Sequence, residues 1–381
     1  MLKQASMGQV VTGLINRLDQ ARPADFSDSA VAELVRSGVL TDATIWIVDH
    51  GFARLSDLSG KLDPIDIEDS MAGRVAISGT AMIEESRAFL PLSRRGQVVG
   101  VLETAPTGDS AVEELIPVAT AITNSLLGTV PISDVVDRHQ GSAALSLPAT
   151  IQKRNLPLSS YADDEFEVGS RLEPAYDVAG DAIDYAVNPE GFHFAIFDAV
   201  GHGLRSTTLT TLALSTYRLL RRQQASLAET AQAVDEVVAA NGRPGDFVTG
   251  ILALLRPEEN VLDCWNAGHH PPLLIRDHKH AFLTAEPPGL PFGLRSDGEG
   301  HNSFSSRPGD VIFLYSDGIV QARDPNRAMW GEAKLAQTAM ALTSNTLSMT
   351  QVCRQLLDDV LNWTVDPLAD DASIVGIRRV A

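Results

Sequence analysis

The stretch richest in chemistry in this 381-residue chain runs from Asp181 to Asp198, DAIDYAVNPEGFHFAIFD. Two alternating runs flank Asn188-Pro189-Glu190-Gly191, all turn-forming types, so the segment predicts a β-hairpin. Without a bulge, 187 faces 192, 183 faces 196, and Asp181 faces Asp198. Ile183, Tyr185, Val187, Phe192, Phe194 and Ile196 share that face, so two carboxylates are expected to meet at the end of an apolar surface. Opposed strand side chains stand ~4.5–5.5 Å apart at Cβ, and like charges there are destabilising. One carboxyl can be protonated, or a divalent cation can sit between the two. Alternatively, a bulge can separate them or both can face solvent; the hairpin alone leaves these readings open.

Two further segments favour the cation. GDVIFLYSDG (309–318) is a buried-type strand ending in Ser316-Asp317-Gly318, and ADDASIVGIRR (369–379) sets Asp370-Asp371 just before another strand. Each alone has an ordinary explanation, since Asp-Gly is a common turn and an Asp pair often begins a strand. Four strand-end carboxylate positions without a Cys or His cluster suit hard, oxygen-preferring ions such as Mg²⁺ or Mn²⁺. After Asp198, Ala199-Val200-Gly201-His202-Gly203 predicts a tight strand-to-helix turn. Its carbonyls could reach a metal and its helix N-terminus a phosphate. The following helix places Leu209, Leu212, Ala213, Thr216, Leu219 and Leu220 on one face. His202 reads as a turn residue. His269-His270 reads as a hairpin turn between strands 261–266 and 272–276, and His278 and His280 read as loop residues. Arg218, Arg221 and Arg222 read as the solvated face of their helix ahead of a docking patch.

The elements that must position these residues fall into four segments. Residues 1–20 predict an amphipathic helix through Val11, Leu14, Ile15 and Leu18, in preference to a signal peptide. Residues 21–128 predict a small α/β domain. It contains a helix over 28–37, a strand over 43–49, and a hairpin turning at Arg94-Arg95-Gly96. A closing helix carries Val112, Leu115, Ile116, Ala119, Ile122 and Leu126, with Gly128 at its C-cap. Residues 129–160 form a helical connector: a first helix from Ile132 is interrupted at Gly141 and ended or kinked by Pro148, a second short one spans 149–155, and no heptads persist as a coiled coil. Residues 161–381 hold short strands, turns and two longer helical patterns. The whole is an α+β chain.

Composition narrows the function. Thirty basic against forty-nine acidic residues give −19 and a pI near 4.8, which disfavours nucleic-acid and membrane-surface partners. No run is expected to span a membrane. Two cysteines, Cys264 and Cys353, suit a reducing cytoplasm and leave no Cys-based metal site.

Taken in order, VAGD (178–181), FDAVGHG (197–203), NAGHHPPLLI (266–275), PGLPFGL (288–294), GDVIFLYSDGIVQAR (309–323) and DDASIVGIRR (370–379) resemble the PPM-type metal-dependent serine/threonine phosphatases of the SpoIIE/RsbU-like branch. That resemblance implies a β-sandwich flanked by helices with a dimetal centre holding two Mn²⁺ or Mg²⁺ ions. Asp198 would bridge them and the Ala199 carbonyl would complete one site. Asp317 and Asp370 would hold the other ion with Asp181 nearby, and Asp371 would be the weaker candidate of its pair. It also implies hydrolysis by a metal-activated water, with Asp181 and Asp198 central to catalysis. Ala179, Ala182-Ile183 and Ala199-Val200 depart from the family's usual residues without removing a carboxylate. Residues 69–79 (DSMAGRVAISG) and 90–103 (LPLSRRGQVVGVLE), with the closing helix, resemble a GAF sensor domain, and Trp46 and His50 are candidates to line a pocket there. The combined resemblance implies partner switching: a homodimer would dephosphorylate a STAS-domain anti-sigma-factor antagonist under control of a small-molecule or protein signal. A catalytically silent phosphoprotein-binding module and a hydrolase of small phosphoesters are the alternatives.

Overall fold

The computed structural model of the protein describes residues 6–49, 53–106, 112–140, 146–173, 180–295, 299–364, 368 and 370–381. The chain divides into two compact units, Met1–Ala144 and Leu145–Ala381.

The first unit opens with α1 (Met7–Gln20) and α2 (Phe26–Arg36), followed by strands β1 (Leu40–Val48), β2 (Arg54–Asp57) and β3 (Ile65–Asp66). Helix α3 (Met71–Ser78) leads to β4 (Met82–Glu84), β5 (Arg87–Arg94) and β6 (Gln97–Pro106), and α4 (Val112–Thr129) and α5 (Val135–Gln140) close it. The sheet has the order β3-β2-β1-β6-β5-β4. Helices α1, α2 and α4 cover one face through Leu14, Leu34, Leu115 and Ile122, and α3 covers the other beside Trp46, Phe89 and Val101. Ser70 caps α3, accepting from the Gly73 N–H at 3.0 Å, and a Cβ on Gly73 would lie 1.8 Å from the Ile67 carbonyl. The expected hairpin turns at Arg95 and Gly96, whose φ angles of 48° and 81° are both left-handed.

Several expectations for this unit are corrected. Gly128 lies inside α4, because the helix runs on to Thr129. Ile15 and Ile116 face outward at 39% and 48% exposure, leaving Val10 to take the inward place on α1. One stretch does have the length and apolarity of a membrane span: Val112–Ile132 has a mean hydropathy of 1.5. Its inward residues, among them Leu115, Val118, Ile122 and Leu126, join the unit's core, and 39% of that stretch is buried. Trp46 is a core residue whose indole donates to Glu103 Oε2 at 2.7 Å, and His50 lies outside the described residues.

The second unit begins with α6 (Leu147–Asn155), the second short connector helix expected over 149–155, with Pro148 in its first turn. Strands β7 (Ser160–Ala162), β8 (Phe166–Glu173), β9 (Asp181–Asn188) and β10 (Gly191–Ala199) follow, then the helix pair α7 (Leu204–Arg222) and α8 (Leu227–Asn241). Next come β11 (Val248–Arg256), β12 (Val261–Ala267), β13 (Leu273–Arg276), β14 (Lys279–Phe282), β15 (His301–Ser305) and β16 (Val311–Tyr315). Helices α9 (Asp317–Val320), α10 (Gly331–Thr343) and α11 (Met349–Trp363) precede the last strand, β17 (Ala372–Arg379). Two antiparallel sheets form, ordered β15-β12-β11-β10-β9 and β14-β13-β16-β17-β8-β7.

Their facing sides interdigitate through Ile183, Phe192, Phe194, Ile251, Leu314 and Val375. Helices α7 and α8 cover the outer side of the first sheet, and α10 and α11 that of the second. The result is a helix–sheet–sheet–helix sandwich. Strands β12 and β13 belong to different sheets, so residues 268–272 form a crossing where the sequence suggested a hairpin. Asn266 shapes that crossing: its side-chain Oδ1 accepts from the His269 N–H at 2.8 Å and its Nδ2 donates to the His269 carbonyl at 2.9 Å.

Candidate metal centre

The β9–β10 hairpin pairs 187 with 192 and 183 with 196, and so sets Asp181 directly opposite Asp198. Its register is the one the alternation predicts. Val187 is the exception on the shared face, turned to solvent at 40% exposure near the hairpin tip. Asp181 is buried at the edge of the inter-sheet core and Asp198 is half-buried beside it. Ala199, buried, ends β10 and donates its N–H to the Gly180 carbonyl at 3.2 Å.

Strand β16 delivers Asp317 to the same end of the sandwich, at the first position of α9. Its Oδ2 accepts from Gln321 at 2.9 Å. Asp370, exposed, precedes β17 and takes the Asp371 N–H at 2.9 Å. The two segments fit closely because of Gly318, whose Cβ position lies 2.2 Å from the Asp371 carbonyl. Val178 and Ala179 of the VAGD segment lie outside the described residues.

Electrostatics ties these carboxylates together. Burial first, then Asp198 and Asp371, push the Asp181 carboxyl well above the ordinary range, against hydrogen bonds from Ser373 and Ser316. Burial, then Asp317, Asp370 and Asp371, push Asp198 up to about 7. Burial and Asp370 raise Asp317, opposed by His270 and the Gly318 N–H. Among the described residues no Lys or Arg is ion-paired to Asp181, Asp198, Asp317 or Asp370. Nor do three His, Cys, Asp or Glu side chains close into a ready-made cage among the described residues. Like charges without a cation between them repel, so an open cluster is its expected form. The donor set is all oxygen, and its buried carboxylates lack basic partners, which fits a hard divalent cation. Gly180 adds room: a Cβ there would stand 3.0 Å from the Ala199 carbonyl, crowding the expected backbone ligand.

Asp371, the weaker candidate of its pair in the sequence, and three residues the sequence reading did not single out hold this end in place. Asp371 is buried, and its Oδ2 accepts from the N–H groups of Gly180 and Asp181 at 2.9 and 3.3 Å. It therefore shapes the backbone that carries Asp181. Gln152 of α6 donates to the same Asp371 oxygen and to the Asp181 carbonyl, both at 2.9 Å. Ser373 donates to Asp181 Oδ2 at 2.6 Å, and Thr210 of α7 donates to the Gly180 carbonyl.

The histidines have distinct positions. His202 is exposed between Gly201 and Gly203, whose φ angles of 85° and 81° make the turn into α7. His269 is buried, with Nδ1 2.8 Å from Thr249 Oγ1 and Nε2 3.0 Å from the Tyr315 carbonyl, so it pins one sheet to the other. Burial and the adjacent His270 push its pKa down to about 3. His270 stacks on Tyr315 with ring centroids 5.7 Å apart.

The SpoIIE family, described as stage II sporulation protein E, matches residues 188–380, more than half of the chain. The chain belongs to the SpoIIE family of PPM-type phosphatases. Among characterised relatives, this SpoIIE-family chain is similar to the phosphoserine phosphatase RsbU of Bacillus subtilis, at 21% identity over 238 residues, covering 62% of the chain and 70% of RsbU. Protein IcfG of Synechocystis sp. is 20% identical over 264 residues, covering 60% of the chain and 40% of IcfG. Among solved structures, the RsbU and RsbW domains of Rv1364c from Mycobacterium tuberculosis align with a TM-score of 0.51 at 22% identity, covering 57% of this chain and 62% of that one. The chain thus spans less than two thirds of the latter two.

Proposed function

We propose that the second unit hydrolyses phosphoserine or phosphothreonine in a protein, using two Mn²⁺ or Mg²⁺ ions held by Asp181, Asp198, Asp317, Asp370 and the Ala199 carbonyl. The observation that carries this reading is the direct opposition of Asp181 and Asp198 at one end of a PPM-fold sandwich, with no Lys or Arg ion-paired to either among the described residues. Bound divalent ions supply an activated water for in-line attack on phosphorus and offset charge on the phosphoryl oxygens.

The chain's own contribution is orientation. Asp371 and Gln152 fix the backbone under Asp181, Ser373 fixes its carboxylate, and Thr210 ties α7 to Gly180. Helix α7 begins five residues beyond Ala199, without an acidic residue in its first turn, and its dipole favours a phosphate dianion at this end.

The substrate proposed is a phosphorylated STAS-domain anti-sigma-factor antagonist in the cytoplasm, where the free, buried thiols of Cys264 and Cys353 suit reducing conditions. The first unit is proposed as a GAF-like sensor that controls the phosphatase within a homodimer. Its sheet, with helices on both faces, is compatible with that role. The test compares turnover on a phosphorylated STAS protein with turnover on small aryl phosphates, for the full chain and for residues 145–381. Preference for the phosphoprotein and a changed rate without the first unit are expected. Equal or better turnover of small esters would favour the metabolite hydrolase, and metal binding without turnover of either would favour the binding module. A rate indifferent to deletion of the first unit would remove the sensor role.

A further inference from the structure

A cavity of the second unit lies away from the carboxylates, among the described residues. It lies between α8 and the outer side of the first sheet, with a volume of about 1150 Å³, somewhat above the ~300–1,000 Å³ usual for small-molecule sites. His193 on its floor is five residues from Asp198 along β10, roughly 17 Å at ~3.3 Å per residue, so this is a separate place on the fold.

His193 is buried at 5% exposure, and its Nδ1 has no hydrogen-bond partner. Its Nε2 stands 3.2 Å from Glu190 Oε1. A carboxylate accepts only, so the shared proton belongs on Nε2, and Nδ1 is left as a lone-pair acceptor. An acceptor without a donor in a buried setting is costly, and such orphans are few in folded proteins. Burial also pushes the His193 pKa down, which keeps the ring neutral and the lone pair available.

Beside it, Trp265 offers a buried aromatic surface with the His301 ring 6.3 Å away. Ala231 roofs the cavity from α8. Glu229, Asp235, Glu236 and Asp263 outnumber Arg256 and Arg295 in the lining, and Arg256 is already held by Glu259 and Asp263. This balance rejects anions.

We propose that the cavity beneath α8 binds a small, flat nitrogen heteroaromatic, neutral or cationic, that stacks on Trp265 and donates an N–H to His193 Nδ1. The chemistry is that of an amino-substituted purine-like base without phosphate. The proposal does not depend on the phosphatase reading.

The test uses the full chain with adenine as probe, followed by calorimetry and saturation-transfer NMR. Caffeine serves as the flat analogue without N–H donors, and adenosine 5′-monophosphate as the anionic one. Adenine is expected to bind with a dissociation constant below about 1 mM, with caffeine and the nucleotide at least about tenfold weaker. His193→Phe, which keeps a flat ring without the acceptor, and Ala231→Trp, which fills the cavity, should each weaken adenine by about tenfold or more. No adenine binding, equal binding of caffeine, tighter binding of the nucleotide, or unchanged binding in both variants would each overturn the proposal. The ligand comparison in the wild-type chain stands even if a variant fails to fold.

Discussion

Asp181 and Asp184 lie three residues apart on β9, both at 2% exposure, and on opposite sides of the same sheet. Asp184 faces α7, where Arg218 and Arg221 each approach its carboxylate to 2.6 Å. Asp181 faces the sandwich interior and finds Asp198 and Asp371. Where a buried carboxylate serves the fold, this chain supplies its own cations from a neighbouring helix. Where it supplies more carboxylates instead, the arrangement is unfavourable alone and becomes favourable with an exogenous cation. The contrast also corrects the reading of the α7 arginines. Two of the three are neither a solvated face nor a docking patch, and Arg222 alone stays exposed.

The comparison can be broken by exchanging the effects of the two aspartates. Asp198→Asn should lower cation-dependent phosphate release by about 10²–10³-fold, in the range of losses from removing a central electrostatic group. In cation-free protein near pH 8 the same change relieves like-charge repulsion and should raise the melting temperature by about 2–4 °C. Asp184→Asn should do the opposite. It leaves two guanidinium groups short of their counter-ion and should destabilise by about 3–5 kcal/mol, with activity per folded molecule largely kept. Urea unfolding of the two variants beside the wild type decides this.

Titration with Mn²⁺ sharpens the same contrast. At about 100-fold over its dissociation constant, a cation bound only by the folded state adds about 2.7 kcal/mol, seen as a rise of about 5–10 °C in melting temperature. Asp184→Asn should retain that increment and Asp198→Asn should lose it.

His269 gives a pH signature. Its folded pKa of about 3 lies below the unfolded value of 6.5, so the unfolded chain binds the extra proton between these limits. Stability is therefore full above pH 6.5 and lost as pH falls toward 3, by about 2 kcal/mol between pH 7 and pH 5 from this group alone. Comparing urea midpoints at the two pH values for wild type and His269→Gln should show a shallower fall in the variant. Smallest in expected effect, Gln152→Ala should weaken Mn²⁺ binding by about tenfold, as read by calorimetry, because the Asp181 backbone loses one of its fixings.

Much of the centre was legible because strand alternation has a period of two. A two-residue turn at Pro189-Glu190 with no bulge left only one register for Asp181 and Asp198. What stayed hidden were contacts between segments distant in sequence. Gln152 and Asp371 are 219 positions apart and nothing local marks either as a partner of the other. The inward face of α7 was misplaced for a related reason. Thr210 and Arg221 are buried because they serve Gly180 and Asp184, whereas Leu219, at 51% exposure, is not. Apolar periodicity follows packing and is blind to a polar residue buried for its partner.

The most direct measurement is phosphate release from a phosphoserine substrate by wild type and Asp198→Asn, with Mn²⁺ and with chelator, each variant first shown to be folded. Release that requires Mn²⁺ in the wild type and collapses in Asp198→Asn is the predicted result. Release that persists in chelator, or survives the substitution, would contradict the assignment of this carboxylate cluster as the metal centre.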